Sequence, residues 1–214
     1  EIYTLSLHDA LPICVSVAYA HARGRNVLMA INTFAQAGQI ERWHRAVDTA
    51  VQLGADAIIV ADPAIMAYAA ECHPDLRLHM SVQGSATNYE AINMMKELFG
   101  IRRAVLPRVL TVDQVKHVID NTDVEIEVFG FGSLCVMVEG RCILSSYATG
   151  ESPNMQGVCS PAKAVRWEQL PDRMNVRLNQ VLIDQYKPDE PAGYPTLCKG
   201  RFEVNANADR KSVV

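Results

Sequence analysis

The chain has 214 residues and a formal net charge of −4 at pH 7, and 49% of its residues are apolar while 21% are charged. This is the composition of an ordinary globular protein of one or two domains. The small acidic balance argues against a broad nucleic-acid surface. No apolar run approaches the roughly 20 residues that a membrane-spanning helix requires.

The two ends of the chain differ from the rest. Residues 1–13, EIYTLSLHDALPI, resemble the in-frame translation of a sequencing-library adapter, and residues 209–214, DRKSVV, resemble its reverse complement. We therefore expect residues 14–208 to be an internal fragment of a longer gene, and we exclude both flanks from the fold. The alternative is a genuine N-terminal strand and a native C-terminal tail.

Short apolar runs alternate with amphipathic segments from residue 15 onward. Residues 15–24 are predicted to be the end of a helix that Gly24 stops. Further helices are predicted over residues 40–53, 64–72, 88–99 and 111–119, and strands over residues 26–32, 57–61, 76–82, 103–106 and 124–129. Pro63 is typical of a helix first turn, while Asn88 and Gly100 predict the start and the end of a helix. Strands that are apolar throughout and separated by helices indicate a parallel sheet covered on both faces.

This alternation predicts an α/β fold. An open doubly wound sheet and part of a TIM-type barrel both fit, because no Gly-rich nucleotide fingerprint follows the first strand. In barrels of this type the working face lies at the carboxyl ends of the strands. The polar residues predicted there are Asn32, Thr33, Asp62, Gln83, Ser85, Arg108 and Glu127.

Arg108, Asp62 and Glu127 are the catalytic candidates among these residues. Arg108 follows a strand and Pro107, and its guanidinium offers a fixed fork of donors suited to a carboxylate. The alternative is a structural ion pair between Arg108 and either Asp62 or Glu127. Asp62 has a second interpretation as a helix cap beside Pro63. Capping is also the alternative role of Gln83 and Ser85.

Four cysteines follow the last predicted strand with the spacing C-x6-C-x16-C-x38-C, namely Cys135, Cys142, Cys159 and Cys198. The chain shows no signal peptide, so we expect a cytoplasmic protein whose thiols stay reduced. Four thiolates suit zinc or an iron-sulfur cluster. The alternative is a set of buried thiols that only pack, and Cys72 is predicted to be such a packing residue.

The segment around the first two of these cysteines is predicted to be a hairpin. Residues 134–138 and 141–147 flank Glu139 and Gly140, a turn that would bring Cys135 near Cys142. Residues 184–195 contain three prolines and are predicted to be a linker that returns the chain to Cys198.

A longer pattern around the cysteines identifies a family resemblance. Its residues are Glu127, Phe129, Gly132, Ser133, Leu134, Cys135, Gly140, Cys142, Leu144 and Ser145. This pattern resembles the signature of the collagenase-like peptidase family U32. Within the family, the ubiquinone-biosynthesis members are the most similar, on the runs AINTFA (30–35), LGADAI (53–58), SATN (85–88), VLPRVL (105–110), LSSYATGESPN (144–154) and GYPTLCKGR (193–201).

The resemblance implies a fold and a cofactor. It implies an incomplete TIM-type (β/α) barrel over residues 14–130, which lacks at least its first βα unit, followed by a cysteine-rich hairpin and loop region over residues 131–208. It also implies a four-iron, four-sulfur (4Fe-4S) cluster whose ligands are Cys135, Cys142, Cys159 and Cys198.

The function implied by the resemblance is oxygen-independent hydroxylation of a quinone precursor in ubiquinone biosynthesis. The implied partners are a UbiV-like protein, which forms a heterodimer, and a lipid-binding accessory protein. Some relatives hydroxylate RNA bases with prephenate as oxygen donor, and a dicarboxylate of that kind would suit Arg108. RNA-base hydroxylation and a non-catalytic cluster scaffold are therefore alternatives, although the charge makes a nucleic-acid partner the weaker expectation.

A collagenase-like peptidase is a further alternative, and it rests on the family label. A thiol peptidase needs a histidine held near its cysteine, and no histidine accompanies the cysteine motif. The sequence also contains no H-E-x-x-H and no G-x-S-x-G motif.

Overall fold

The computed structural model describes residues 10–130, 135, 138–139, 142–159 and 162–190. These residues fall into two compact units, which divide between residues 132 and 133. No helix in these ranges is long and apolar enough to cross a membrane.

The first unit alternates helices with parallel strands. Its strands are β1 (Leu28–Ile31), β2 (Ala57–Val60), β3 (Arg77–Met80), β4 (Arg103–Val105) and β5 (Glu125–Glu127). Its helices are α1 (Ala10–His21), α2 (Glu41–Gln52), α3 (Pro63–Cys72), α4 (Tyr89–Phe99) and α5 (Val112–Asp120), and a 3₁₀ turn, Val82–Gly84, follows β3. The strands pair in the order β1-β2-β3-β4-β5 and all pairs are parallel. This order lacks the reversal that defines a doubly wound sheet.

One face of the sheet packs against the helices. The buried strand residues on this face are Met29, Ile31, Ile58, Val60, Leu78, Met80 and Ala104, and they share one core with Trp43, Val47, Ala50, Ile65, Met66, Ala69 and Ile92. Because parallel strands joined by right-handed crossovers in one direction place their helices on the same side, a single core forms there. Burying each large apolar side chain stabilises the fold by about 1.5–3 kcal/mol.

The other face of the sheet is apolar at one side and ionisable at the other. In register across it lie Ala30, Ile59, His79, Arg103 and Glu125. This face is apolar on β1 and β2 and carries ionisable side chains on β3, β4 and β5. The expectation of strands that are apolar throughout is therefore wrong for the last three strands.

Local sequence signals place most elements of the first unit within a few residues of their predicted bounds. The Asn88 side chain accepts a hydrogen bond from the Ala91 N–H and caps α4, and Gly100, with φ of 69°, ends that helix. Pro63 occupies the first turn of α3. The helix whose end was predicted at residues 15–24 is α1, which begins at Ala10 and ends at His21, and Ile13 packs into the core. The adapter origin of residues 1–13 stays a prediction.

The second unit contains two short helices and an antiparallel sheet. Its elements are α6 (Ile143–Thr149), α7 (Pro153–Gln156), a 3₁₀ turn at Ala162–Ala164, β6 (Val165–Gln169), β7 (Met174–Leu178) and β8 (Val181–Tyr186). The strands pair in the order β6-β7-β8. Ala148, Ala164 and Leu178 form a small core with Val165, Val181 and Ile183.

One prediction for this unit is wrong, and a second is shifted by three residues, with residues 191–195 outside the described residues. The second arm of the expected cysteine-rich hairpin is the helix α6, which Gly150 ends in the left-handed conformation that glycine adopts at low cost. Burial of Ala148 against the sheet favours this helix over a strand. The expected linker at residues 184–195 begins instead with the end of β8, where Tyr186 is buried opposite Met174.

Candidate functional site

Polar side chains at the carboxyl edge of the parallel sheet form hydrogen bonds that stabilise the loops following the strands. The Asn32 amide donates a hydrogen bond to the Ser81 hydroxyl (3.4 Å), which joins the loops after β1 and β3. The Trp43 indole donates to the Thr33 hydroxyl (3.0 Å). These contacts give Asn32 and Thr33 structural roles at the edge where sequence analysis expected binding residues.

Asp62 caps α3 and also holds a neighbouring loop. Its Oδ1 accepts a hydrogen bond from the Ala64 N–H (2.8 Å), and its Oδ2 accepts one from the Ala35 N–H (2.8 Å). The alternative of a helix cap is confirmed. Because both carboxylate oxygens bind backbone groups, the geometry supports a structural role, and a catalytic role for Asp62 stays a prediction.

Arg108 lies after β4 and is half-buried, with its guanidinium carbon 5.7 Å from the centre of the Phe129 ring. The carboxylates expected to pair with it bind elsewhere: Asp62 binds the backbone, and Glu127 pairs with Arg103. Asp62 follows β2, Arg108 follows β4 and Glu127 ends β5, and neither carboxylate pairs with Arg108.

A network of ionisable side chains crosses β3, β4 and β5 on the sheet face opposite the helix-packed core. We call it the polar row, and it consists of Arg77, His79, Arg103, Glu125 and Glu127. Arg77 Nε donates to His79 Nε2 (2.9 Å), and Arg77 Nη2 donates to Glu125 Oε1 (2.5 Å). Arg103 donates from Nε (3.0 Å) and Nη2 (2.9 Å) to Glu125 Oε2, and from Nη1 to Glu127 Oε2 (3.0 Å).

The pKa of two members of the row, Glu125 and His79, is lowered. The hydrogen bond from Arg77, followed by that from Arg103, lowers the pKa of Glu125 to about 2. Burial, followed by the positive charges of Arg103 and Arg77, lowers the pKa of His79 to about 4. His79 is therefore a neutral imidazole at pH 7, and its Nε2 carries no proton because it accepts from Arg77.

Glu127 is the only member of this row that the sequence predicts as a site residue. The signal was present as alternation, since Arg77 and His79 are two residues apart, as are Glu125 and Glu127. Residues two apart on a strand share a face. Recognising the row required the register between strands, which sets Arg103 beside Glu125 and Val105 beside Glu127.

Three of the four motif cysteines lie in the described part of the second unit. Cys135 and Cys159 are exposed and Cys142 is half-buried, and none of the three forms a disulfide. The alternative of thiols buried as packing residues is wrong for these three. It is also wrong for Cys72, which is exposed at the end of α3. Cys198 lies outside the described residues.

Asn154 connects the cysteine segment to α7. The Cys142 N–H donates to Asn154 Oδ1 (2.8 Å), and the Asn154 N–H donates to the Ser152 hydroxyl that caps α7. Asn154 is buried, at 8% exposure. The start of α6, where Cys142 lies, is thereby fixed to the start of the helix that precedes Cys159.

The donor set suits an iron-sulfur cluster by its chemistry, because its described members are thiols at accessible positions outside a core. Within the described ranges, no three Cys, His, Asp or Glu side chains are grouped closely enough to hold a metal ion. Residues 133–210 also contain no histidine, so the cysteine unit has no imidazole of its own to activate a thiol.

Comparison with known proteins identifies relatives of the chain. The sequence model of peptidase family U32 matches residues 11–190. The tRNA hydroxylation protein P of Escherichia coli is 33% identical over 162 residues, which cover 75% of this chain and 34% of that protein. The 23S rRNA 5-hydroxycytidine C2501 synthase of Escherichia coli is 34% identical over 146 residues, which cover 68% of this chain and 22% of that protein.

Two further relatives carry the name of peptidases. An uncharacterised protease of Methanocaldococcus jannaschii is 32% identical over 191 residues, which cover 87% of this chain and 42% of that protein. The solved structure of a U32 peptidase has a TM-score of 0.48 and 20% identity, covering 58% of this chain and 54% of that one. The chain spans less than half the length of the three curated relatives, namely 34%, 22% and 42%.

Proposed function

The chain belongs to peptidase family U32, and from this premise we propose that it is part of an iron-sulfur hydroxylase that works without molecular oxygen. The single observation that carries the proposal is the set of motif thiols, three of which lie at accessible positions in one compact unit. The names of the relatives support it, since they include hydroxylation proteins for tRNA and rRNA.

Four residues would hold the cluster: Cys135, Cys142, Cys159 and Cys198. A bound 4Fe-4S cluster supplies one-electron transfer. The protein's own contribution is to fix the ligands, and the hydrogen bond from the Cys142 N–H to Asn154 does this for one of them. Lys199 and Arg201 flank Cys198 in the sequence and would offset the negative charge of the four thiolates.

The proposed substrate is a quinone precursor of ubiquinone biosynthesis, as in the family member UbiU. Six runs spread from residue 30 to residue 201 resemble the ubiquinone-biosynthesis members. The proposed partners are a UbiV-like protein, with which the chain forms a heterodimer, and a lipid-binding accessory protein. Replacing a ring C–H by C–OH is a two-electron oxidation, so an oxygen donor such as prephenate completes the reaction.

Hydroxylation of an RNA base is the second candidate function. The specific observation in its favour is that relatives covering 68–75% of this chain are named for hydroxylation of tRNA and rRNA. The net charge of −4 counts against an extended nucleic-acid surface on this chain. The two substrates can be separated by experiment.

The first unit is proposed to be part of a TIM-type barrel. Its support is the strand order, which proceeds in one direction without reversal. In such a barrel the polar row would face the interior, and Glu127 and Arg108 would lie at the carboxyl end, where barrel enzymes carry their active sites.

Peptidase activity and a non-catalytic scaffold are the remaining candidates. The family name and the name of the Methanocaldococcus relative favour a peptidase. The cysteine unit opposes it, because residues 133–210 offer no histidine to a nucleophilic thiol. A scaffold would keep the cluster and leave the chemistry to the UbiV-like partner.

The test uses the full-length gene in a bacterial strain that lacks it and is grown without oxygen. Quinone intermediates and RNA nucleosides are measured by mass spectrometry with wild type and Cys142→Ala, and Cys72→Ala serves as the matched control. Hydroxylated quinone that appears with wild type and Cys72→Ala but not with Cys142→Ala supports the proposal. Hydroxycytidine alone would assign the RNA function, and a wild type that yields neither product would overturn both.

A further inference from the structure

The polar row occupies a place where a parallel sheet does not ordinarily carry charge. Sheets of this class are apolar on both faces, because crossover helices or a barrel interior cover them. Here five ionisable groups lie on three neighbouring strands, on the face opposite the helix-packed core. His79 is the buried member, at 3% exposure, whereas the four charged side chains are 32–51% exposed, so a ligand can reach them.

Glu127 is the member of the row with a carboxylate oxygen available to a ligand. Its Oε2 accepts a hydrogen bond from Arg103 (3.0 Å). Its Oε1 accepts none from any residue that the structure describes, and the side chain is 35% exposed. Glu127 is also the last residue of β5, at the carboxyl edge, and lies eight residues before Cys135 in the sequence.

Glu125 holds Arg103 in place, and this contact does not depend on Glu127. Arg103 Nε and Nη2 both donate to Glu125, which also accepts from Arg77. Arg77 is fixed in turn by its hydrogen bond to the neutral His79, which is 3% exposed. The Arg103 guanidinium is therefore oriented before any ligand arrives, and its Nη1 defines the position of the Glu127 carboxylate.

We propose that Glu127 accepts a hydrogen bond from an O–H or N–H group of the substrate ring, and that Arg103 is its positioning residue. This inference rests on the proposed hydroxylase function. A phenolic hydroxyl of a quinone precursor and the amino group of cytosine both offer such a donor. The rest of the row, namely Glu125, Arg77 and His79, holds Arg103 in place and does not touch the substrate.

A double-mutant cycle tests the relation between the two residues. The full-length protein with its partner is assayed as wild type, Glu127→Gln, Arg103→Gln and the double variant, with Arg103→Lys as the conservative variant. Arg102→Gln is the matched control, because Arg102 is the exposed neighbour of Arg103 and is not part of the row.

Glu127→Gln replaces the charged acceptor by a neutral one and is expected to lower kcat/KM about 10- to 100-fold, the range for loss of a hydrogen bond to a charged group. Arg103→Gln is expected to lower kcat/KM about 10-fold or more, and Arg103→Lys to recover part of the loss. Because Arg103 acts through Glu127, the double variant is expected to equal Glu127→Gln. Arg102→Gln is expected to match wild type.

A second measurement does not depend on activity. In protein labelled with ¹³C at the glutamate carboxyl carbons, the Glu127 signal is assigned by its loss in Glu127→Gln. It is expected to move in Arg103→Gln and to stay in place in Arg102→Gln. If the ¹³C chemical shift of Glu127 is the same in Arg103→Gln as in wild type, the positioning role of Arg103 is overturned.

The remaining outcomes separate the two proposals. Multiplicative losses in the double variant, with wild-type hydroxylation intact, would overturn this inference and leave the proposed function standing. A wild type that hydroxylates neither quinone nor RNA would overturn the proposed function and the catalytic role of Glu127 with it. In that case a shifted Glu127 signal would identify the ion pair as structural.

Discussion

Both carboxylate oxygens of Asp62 accept hydrogen bonds from backbone N–H groups. A substitution at Asp62 therefore affects the stability of the fold as well as any catalytic role. The Ala64 N–H belongs to the first turn of α3, while the Ala35 N–H belongs to the loop after β1. One side chain thus stabilises a helix start and joins two neighbouring βα units. Loss of activity in an Asp62 variant would have to be separated from loss of structure.

We predict that Asp62→Ala lowers the free energy of unfolding by about 2 kcal/mol, the sum of a lost N-cap and an unpaired backbone N–H. Asp62→Asn keeps one acceptor oxygen and is expected to cost about 1 kcal/mol. Urea unfolding checks both values. Asp75→Ala, at an exposed loop position, is the control and should stay within about 0.5 kcal/mol of wild type. An Asp62→Ala variant as stable as wild type would contradict both roles of Asp62, namely the cap of α3 and the hydrogen bond to the Ala35 N–H.

His79 makes the stability of the first unit depend on pH. Its pKa is lowered from 6.5 to about 4 by burial and by the neighbouring Arg103 and Arg77. A depressed pKa means that the unfolded chain takes up a proton below pH 6.5 while the folded protein does not. The stability contributed by the neutral imidazole is therefore complete above pH 6.5 and is lost as the pH falls to about 4.

We predict that wild type loses on the order of 3 kcal/mol more stability than His79→Gln between pH 6.5 and pH 4, since each pKa unit corresponds to about 1.4 kcal/mol. Glutamine can still accept a hydrogen bond from Arg77 but does not titrate. Urea unfolding at several pH values across this range measures the difference. Parallel pH profiles for the two proteins would show that His79 is not held neutral.

At the scale of elements, the turn between β7 and β8 is tied to α6. The Asn179 N–H donates to the Ala164 carbonyl (2.7 Å), and the Asn179 side chain donates to the Ala148 carbonyl near the end of α6 (2.7 Å). Asn179 has φ of 50°, a left-handed conformation that asparagine tolerates better than most residues. One residue therefore supports both the hairpin turn and its packing against the helix.

Two substitutions separate these contributions. Asn179→Gly keeps the backbone conformation and loses the side-chain hydrogen bond, so we expect a loss of about 1 kcal/mol. Asn179→Ala adds the cost of a left-handed alanine and should lose about 2 kcal/mol. Hydrogen exchange of the β7 and β8 amides measures the local stability, and Gln180→Ala is the control in the same turn. Equal effects of glycine and alanine would show that the backbone conformation carries no cost.

At the scale of the whole molecule, the parallel sheet has two edge strands, β1 and β5. Within the described residues, β1 pairs only with β2 and β5 pairs only with β4. Unpaired strand edges invite association with other strands. If further strands pair with β1 and β5 and complete a barrel, the protein that contains them should be more soluble and more stable than this chain, and iron binding is best measured there.

The cluster proposal makes a prediction for the full-length protein reconstituted with iron and sulfide under anaerobic conditions. Wild type should bind about four irons per chain, as expected for a 4Fe-4S cluster. Replacing Cys135, Cys142, Cys159 or Cys198 by alanine should remove the visible absorption band, whereas Cys72→Ala should retain it. Iron counting and absorption spectra measure both. Stoichiometric zinc, or no metal in wild type, would contradict the cluster.

The sequence by itself determined the α/β alternation of the first unit, its helix ends and the motif cysteines. These features are local: hydrophobic periodicity, Pro63, Asn88 and Gly100 act within one or two turns of chain. Only the tertiary structure decided that Glu127 pairs with Arg103 and not with Arg108, and that three strands carry one charged face. Those facts depend on the register between strands that are distant in sequence. The helix α6 and the sheet β6-β7-β8 were also decided there, because the burial of Ala148 and Leu178 in a shared core outweighs the weak local preferences of short segments.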